Sequence, residues 1–275
     1  MALNLGFIGG GNMSSAIFKG ILRTNVHSTA NIWVSGPHLE NLNHWKELGA
    51  NISNDNGMVL ENCDIIFLGV KVDKLDTALE TICPPGKNVT KKVVFISMLA
   101  GKKIETLQMA IRMYLPNADV SVIRIMPNTP MTVGAGICLY TPDSNVTEQE
   151  CQLLEQLLSS SGFCDRIPET LMDSLGTLTG CGPAFMYLVI EALADGAVKQ
   201  GVPRATALRH AAQMVIGSGQ MVLQSGKHPG LLKDEVCSPG GSTIYGITAL
   251  ENGKLRATLI NAIEAATHRN KDLGK

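Results

Sequence analysis

The chain has 275 residues, 45% of them hydrophobic and 17% charged, which leaves room for one large core or two modest ones and excludes a disordered chain. Its 23 Lys+Arg against 24 Asp+Glu give a formal net charge of -1, without the basic patch or acidic tail of a dedicated nucleic-acid or membrane-surface binder. No uninterrupted apolar run approaches about 18 residues, so no membrane span is expected.

The start, MALNLGFIGGG, runs straight into a strand, and the first arginine is Arg23. Neither a secretory leader, with its longer apolar region and cleavage site, nor an Arg-rich presequence fits. The seven cysteines are odd in number, scattered and free of any C-x-x-C pair, as expected of free thiols in a reducing compartment. A cytoplasmic location is therefore expected, and the N-x-[ST] matches at Asn12, Asn51, Asn88 and Asn145 are read as chance.

In chain order, short apolar β-rich runs predict strands at Leu3–Ile8, Asn31–Val34, Asp64–Val70, Lys92–Ser97 and Val120–Ile125. Amphipathic spacing predicts helices between them, at Ser14–Leu22, Leu39–Leu48 and Ile104–Tyr114. Strands that are nearly unbroken runs of apolar residues, alternating with helices, imply a parallel sheet covered on both faces, a doubly wound α/β domain. After about Ile167 the strands vanish. Ala-rich helices are predicted at Pro183–Lys199, Pro203–Leu223 and Leu255–Lys271, the first two opened by proline at the first helical position and closed by Gly201 and Gly226. The expected division is residues 1–167 as an α/β domain and 168–275 as an all-α domain. The segment PAFMYLVIEALADGAVKQG is apolar around most of its circumference and needs burial on nearly all sides. About 100 residues of helix do not supply that alone, so a second subunit is expected.

Two glycine-rich turns carry the candidate chemistry. The first, GFIGGGNMSSA, sets Gly9, Gly11 and Ser14 at the spacing G-x-G-x-x-small, after a strand and before a helix. The first glycine permits the tight turn, the second lets a pyrophosphate approach the backbone, and the third small residue lets helix and strand pack closely. The helix N-terminus then offers N–H groups to the phosphates, so this is read as a Rossmann-like dinucleotide site. At the end of the next strand an NAD enzyme carries a carboxylate for the ribose 2′-OH; here Ser35 and Gly36 stand instead. That leans toward NADPH over NADH, although no arginine clamps a 2′-phosphate and only His38 lends nearby charge.

The second turn, CSPGGSTIYG, sets Ser238, Gly240 and Gly241 before a helix-like run opened by Ser242 and Thr243. One reading is a backbone nest at a helix N-terminus, sized for a small carboxylate. The other is that Ser242 or Thr243 simply caps the helix. Between the two turns, MPNTP (Met126–Pro130) reads either as a wall of the cofactor pocket or as a rigid turn between domains.

The blocks GFIGGGNM, FLGVK, MLAG, RIMPNTP, LTGCGPAF, ALADGAVKQGVPR and HPGLLKDEVCSPGGSTIYG together resemble successive segments of the Δ1-pyrroline-5-carboxylate reductases, in order and over the whole chain. The ending soon after AIEAATHRNKDLGK resembles the compact cytosolic form. The resemblance implies NAD(P)H-dependent reduction of a cyclic imine to proline by a homo-oligomer, dimeric or higher, with a Rossmann-like domain followed by an all-α dimerisation domain. It implies that Ile8, Gly9, Gly10, Gly11, Asn12 and Met13 hold the pyrophosphate, with Ser35, Gly36, His38 and Asn56 on the adenosine 2′ side. Gly69, Val70 and Lys71, with Leu99, Ala100 and Gly101, would lie by the nicotinamide half. Ser238, Gly240, Gly241, Ser242 and Thr243 would bind the substrate, Thr243 facing its nitrogen as the catalytic hydroxyl. Val72 stands where the family usually has proline, and Glu235 where an amide is common, so no contact is assigned to Glu235.

Imine reduction needs a positioned hydride donor, a hydrogen-bonded nitrogen and a fixed carboxylate, and the cofactor carries the hard chemistry. No hydrolytic triad, paired catalytic carboxylates or metal-ligand spacing is expected, and none stands in the sequence. Cys181 and Cys237 lack a neighbouring activating His and read as small apolar fillers. A β-hydroxyacid dehydrogenase would place a lysine where Met186 follows Gly180 and Gly182. A non-catalytic NADP sensor on the same fold would not need the second turn.

Overall fold

A computed structural model describes residues 3–24, 26–83 and 89–273; the sequon at Asn88 lies outside the described residues. By packing, the chain divides into one unit ending at Gly180 and joined by the segment from Thr267 on, and another running from Cys181 to Ala266.

The first unit is an eight-stranded sheet. Strand β1 (Leu5–Ile8) leads through α1 (Asn12–Thr24) to β2 (Ile32–Ser35), and α2 (Asn43–Glu47) leads to β3 (Asn51–Ser53). Helix α3 (Asn56–Asn62) precedes β4 (Ile65–Leu68), α4 (Leu75–Glu80) precedes β5 (Lys92–Ser97), and α5 (Ile104–Tyr114) precedes β6 (Asp119–Pro127). Then come β7 (Gly136–Pro142), α6 (Glu148–Leu158) and β8 (Gly162–Arg166). The spatial order is β3-β2-β1-β4-β5-β6-β7-β8, with chain reversal on either side of β1. All neighbours are parallel except β6 and β7, which pair antiparallel from Ile123↔Pro142 to Pro127↔Cys138.

Alternation along the central strands distributes side chains to two cores, because successive residues point to opposite faces. Phe7 and Phe67 join Phe18 and Trp45 on one face, the two phenyl rings stacked 4.6 Å apart and Phe18 4.2 Å from Trp45. Ile8, Ile66 and Leu68 join Leu79, Phe95 and Leu107 on the other. Each of these fully buried side chains contributes about 1.5–3 kcal/mol relative to exposure.

Local signals placed several boundaries differently from the structure. The predicted helix Leu39–Leu48 is a 3₁₀ turn at Leu39–Leu42 followed by the short α2. Strands β3, β7 and β8 were not predicted, and helices α3, α4 and α6 carried no predicted bounds. The long helix α7 runs Glu169–Lys199 and contains Pro183, which therefore does not open it. A proline has no N–H for the carbonyl four residues earlier; that carbonyl, on Thr179, accepts instead from Asn128 Nδ2 at 3.0 Å. The base of α7 is tied to the sheet by Arg124, whose buried guanidinium reaches Asp173 at 2.8 Å and Glu169 at 3.4 Å.

The second unit continues through α8 (Arg204–Ser225), α9 (Pro229–Val236), α10 (Ser242–Asn252) and most of α11 (Leu255–Leu273). Pro203 is the cap residue before α8 rather than its first helical position, while Gly201 (φ 94°) and Gly226 (φ 65°) end helices in the left-handed conformation as predicted. Its own core is small: Ala194, Ala207 and Ala211 are buried, with Ile190, Val198 and Val202 packed against them. Large apolar side chains face outward, among them Leu188 at 66% exposure, Ile216 at 54%, Leu223 at 85% and Ile260 at 64%. By length and composition alone α7 is apolar enough to cross a membrane, though Glu169, Asp173, Glu191 and Asp195 lie along it.

Candidate active site

The turn after β1 is built as its glycines require. Gly9 has φ 97°, and a Cβ there would stand 2.8 Å from the Gly69 backbone, so only glycine fits. Gly10 backs onto Leu42 and Trp45, where a Cβ would be 2.4 Å from Leu42. Gly11 is different: nothing lies within 4 Å of an added Cβ. Ser14, 1% exposed, donates its hydroxyl to the Gly9 carbonyl at 2.6 Å and closes the helix onto the strand end. The first helical N–H groups, at Asn12, Met13 and Ser14, have no intrahelical acceptor. An open glycine face beside free N–H groups at a helix N-terminus fits a pyrophosphate.

The carboxyl ends of β1, β2 and β4 surround a cavity of about 480 Å³. It gathers Ile8, Gly9, Ser35, Gly36, Asn56, Val70 and Lys71 from the sequence reading. Gly10, Gly11, Asn12, Met13, His38 and Gly69 do not line it. Gly69 is nonetheless held at the rim, donating to the Ile8 carbonyl at 2.9 Å. Leu99, Ala100 and Gly101 lie just past β5; Leu99 is buried and Gly101 takes a positive φ of 75°. His38 is exposed and sits 3.6 Å from Glu40.

Six lining residues were missed: Pro37, Asn54, Lys74, Thr77, Ala78 and Thr81. The last four share one face of α4 and the turn before it, at spacings of three and four, and that helical periodicity was the available signal. The β2 end is closed by a side-chain network. Ser35 Oγ donates to Asn56 Oδ1 at 2.6 Å, and Asn56 Nδ2 donates to the Ala78 carbonyl at 3.0 Å and Thr81 Oγ1 at 2.8 Å.

Within Met126–Pro130, Asn128 is engaged with the fold. Buried at 6% exposure, its side chain accepts from the Ile137 N–H at 2.8 Å and donates to the Thr179 carbonyl. Both ends of the amide are engaged in joining β6, β7 and α7, so this residue acts as a structural tie.

In the second unit, Ser238–Gly241 forms a turn closed by the Gly241 N–H to the Ser238 carbonyl at 3.0 Å, with Gly240 at φ 69°. Gly241, extended and without a side chain, is the cap residue of α10. Ser242 and Thr243 are therefore the first two helical residues, not caps. Neither hydroxyl meets a hydrogen-bond partner among the described residues, and the N–H groups of this first turn have no intrahelical acceptor. The turn thus offers free N–H groups, two free hydroxyls and the positive end of a helix dipole, suited to a small carboxylate. Glu235 pairs with Lys227 at 2.6 Å.

Among the described residues no group of three or more His, Cys, Asp or Glu could hold a metal ion. Burial pushes the Cys63 thiol up to about 12, leaving it protonated. The Cys164 hydrogen bond and then burial push the Cys138 thiol up as well.

Two family models match the chain. Residues 4–101, which carry the first glycine turn, match the NADP oxidoreductase, coenzyme F420-dependent model, and residues 169–273 match pyrroline-5-carboxylate reductase dimerisation. A relative from Danio rerio, pyrroline-5-carboxylate reductase 3, is 43% identical over 99% of this chain and 92% of its own length. The chain belongs to the pyrroline-5-carboxylate reductase family. A second family member, from Xenopus laevis, is 40% identical over 100% of this chain and 97% of its own. A crystal structure of a family member from Plasmodium falciparum, pyrroline carboxylate reductase with NADP bound, superposes with a TM-score of 0.86 at 33% identity, covering 99% of this chain and 98% of that one. The match to the dimerisation model begins at Glu169, the first residue of α7, just after the last strand ends at Arg166.

Proposed function

We propose that the chain reduces the C=N bond of 1-pyrroline-5-carboxylate, giving L-proline, with NADPH as the preferred donor and a proton completing the balance. Family membership along the full length carries the activity; the free first turn of α10 is the observation that supports the choice of residues. When bound, the reduced nicotinamide supplies the hydride for the imine carbon. The turn after β1 holds the pyrophosphate on its free N–H groups, and Gly11 leaves it room. The cavity at the ends of β1, β2 and β4 takes the adenosine half, while Gly69–Lys71 and Leu99–Gly101 flank the nicotinamide half. Ser238, Gly240, Gly241 and Ser242 hold the substrate carboxylate, and the Thr243 hydroxyl donates to the imine nitrogen, which keeps the neighbouring carbon electrophilic. On this reading residues 1–167 bind cofactor, and residues 168–275 bind substrate and pair subunits.

The outward apolar side chains of α7, α8 and α11 support a homodimer or larger homo-oligomer, because patches of that extent on helices are covered in solution. The lack of any disulfide among the described cysteines supports a cytoplasmic location. Steady-state kinetics with pyrroline-5-carboxylate and each nicotinamide cofactor tests the activity. Thr243→Val tests the hydroxyl: loss of one transition-state hydrogen bond lowers kcat about tenfold or more. A Thr243→Val enzyme with unchanged kcat would remove that residue from the mechanism.

A further inference from the structure

At the β2 end of the cofactor cavity, the polar groups of Ser35, Gly36 and Asn56 are already engaged, and Asn54 adds only a neutral amide. Ser35 is wholly buried (0% exposed) and its hydroxyl is given to Asn56. Both Asn56 donor hydrogens go to α4 and the residue that ends it, at the Ala78 carbonyl and Thr81 Oγ1. The Gly36 N–H is given to the Ser53 carbonyl at 3.1 Å. Pro37 has no N–H, and His38 lies outside the lining, beside Glu40. A 2′-phosphate brings close to two negative charges into this corner, and neutral groups that satisfy one another do not balance them.

Two cations remain in the lining, Lys71 and Lys74, with no arginine and no carboxylate among the lining residues. They differ in place. Lys71 follows Gly69 and Val70 directly, and a Cβ on Gly9 would touch both of those residues, which sets Lys71 at the β1 and β4 ends. Lys74 immediately precedes α4, the helix whose Ala78 and Thr81 hold Asn56 against Ser35. Its ammonium has one weak neighbour, Asp73 at 3.8 Å, with both side chains about two-thirds exposed (65% and 70%). Exposed pairs of that kind contribute little and yield to a better anion.

We propose that Lys74 is the residue by which this chain tells a 2′-phosphorylated adenosine from a plain one, its ammonium pairing with the phosphate. The proposal rests on the dinucleotide reading of the cavity. It supplies the cation that the sequence lacked: a lysine one turn beyond β4 replaces an arginine at the end of β2. Lysine serves as a phosphate binder by charge rather than by a fixed fork, so a flexible reach from α4 suffices.

The test is calorimetric titration of 2′,5′-ADP and of 5′-ADP, which differ by the 2′-phosphate and need no imine reduction. The wild-type chain is expected to bind 2′,5′-ADP more tightly. In Lys74→Ala that preference falls about tenfold or more, with the loss on 2′,5′-ADP. Lys74→Arg keeps the preference, and Lys71→Ala does not abolish it. Raising salt from 50 to 300 mM erodes the preference in the wild type but not in Lys74→Ala. An undiminished preference in Lys74→Ala, with its thermal midpoint intact, overturns the assignment. So does a wild type that binds 5′-ADP and shows no preference, which leaves the cofactor reading standing. Binding of neither nucleotide overturns the cofactor reading itself, and the assignment with it.

Discussion

Gly9 and Gly11 belong to one motif, and the structure separates what each does. A Cβ at Gly9 meets two penalties: φ is 97°, and the Gly69 carbonyl carbon and oxygen lie 2.8 Å away. The left-handed conformation costs a non-glycine residue about 1–2 kcal/mol, and overpacking against main chain adds about 1–3 kcal/mol. Gly9→Ala therefore lowers folding stability by about 2–5 kcal/mol, or roughly 4–20 °C in thermal midpoint. Gly11 has no neighbour within 4 Å of the added carbon and is not among the glycines with positive φ. Gly11→Ala keeps the midpoint or raises it slightly, by no more than about 1 kcal/mol of stability through the unfolded chain. Its methyl group stands where the pyrophosphate approaches and costs one or more charge-assisted hydrogen bonds, so KM for NADPH rises about tenfold to a hundredfold. Differential scanning fluorimetry of the free chain and initial rates at varied NADPH measure both effects. If Gly11→Ala melted early and kept its KM, the open face would not be the cofactor's, and the division of labour would be wrong.

Arg124→Met leaves Glu169 and Asp173 without their buried partner and lowers stability in urea by about 3 kcal/mol; adding Glu169→Gln and Asp173→Asn recovers most of it. Thr147→Ala removes the capping box that Thr147 and Glu150 form at the start of α6 and costs about 1 kcal/mol by the same assay. Burial would raise the Glu150 carboxyl, but Lys92 at 2.7 Å and the bonds from Thr147 outweigh it and hold it below its ordinary 4.5. Its stabilisation is therefore complete above pH 4.5 and is lost as pH falls through the lower folded value; the midpoint of Lys92→Met is less sensitive to pH across that acid range. Ile216→Glu combined with Leu223→Glu charges the outward apolar side of α8 and converts the proposed oligomer to monomers in analytical ultracentrifugation.

Where a segment's own residues decided its state, the sequence was readable. Strand β5 and helix α5 were predicted to the residue, because Val93–Ile96 is a continuous apolar run between Lys92 and Ser97 and Ile104–Tyr114 keeps helical spacing. Strand β8, GFCDR, has little apolar content and is an edge strand held by its register against β7, so nothing local announced it. Strand β3 is three half-buried residues paired to β2. Pro183 misled for a similar reason, since its missing N–H is made harmless by Asn128, far away in sequence. In the site, the glycine turns were legible because each contains a glycine that the backbone requires, Gly9 at φ 97° and Gly240 at φ 69°. Lys74 was not, since nothing about a surface lysine shows that Ser35 and Asn56 have already satisfied each other.

The proline in α7 has one more effect. In an uninterrupted helix the Thr179 carbonyl would be occupied by the turn above it, and Asn128 would compete for it with a fixed intrahelical donor. Pro183 removes the competitor, so a gap in one element's ladder serves as the attachment point for another. Pro183→Ala would restore a rival donor: α7 would gain a hydrogen bond as a helix while its hold on the β6–β7 turn weakened, a substitution favourable by helix propensity yet unfavourable to the fold.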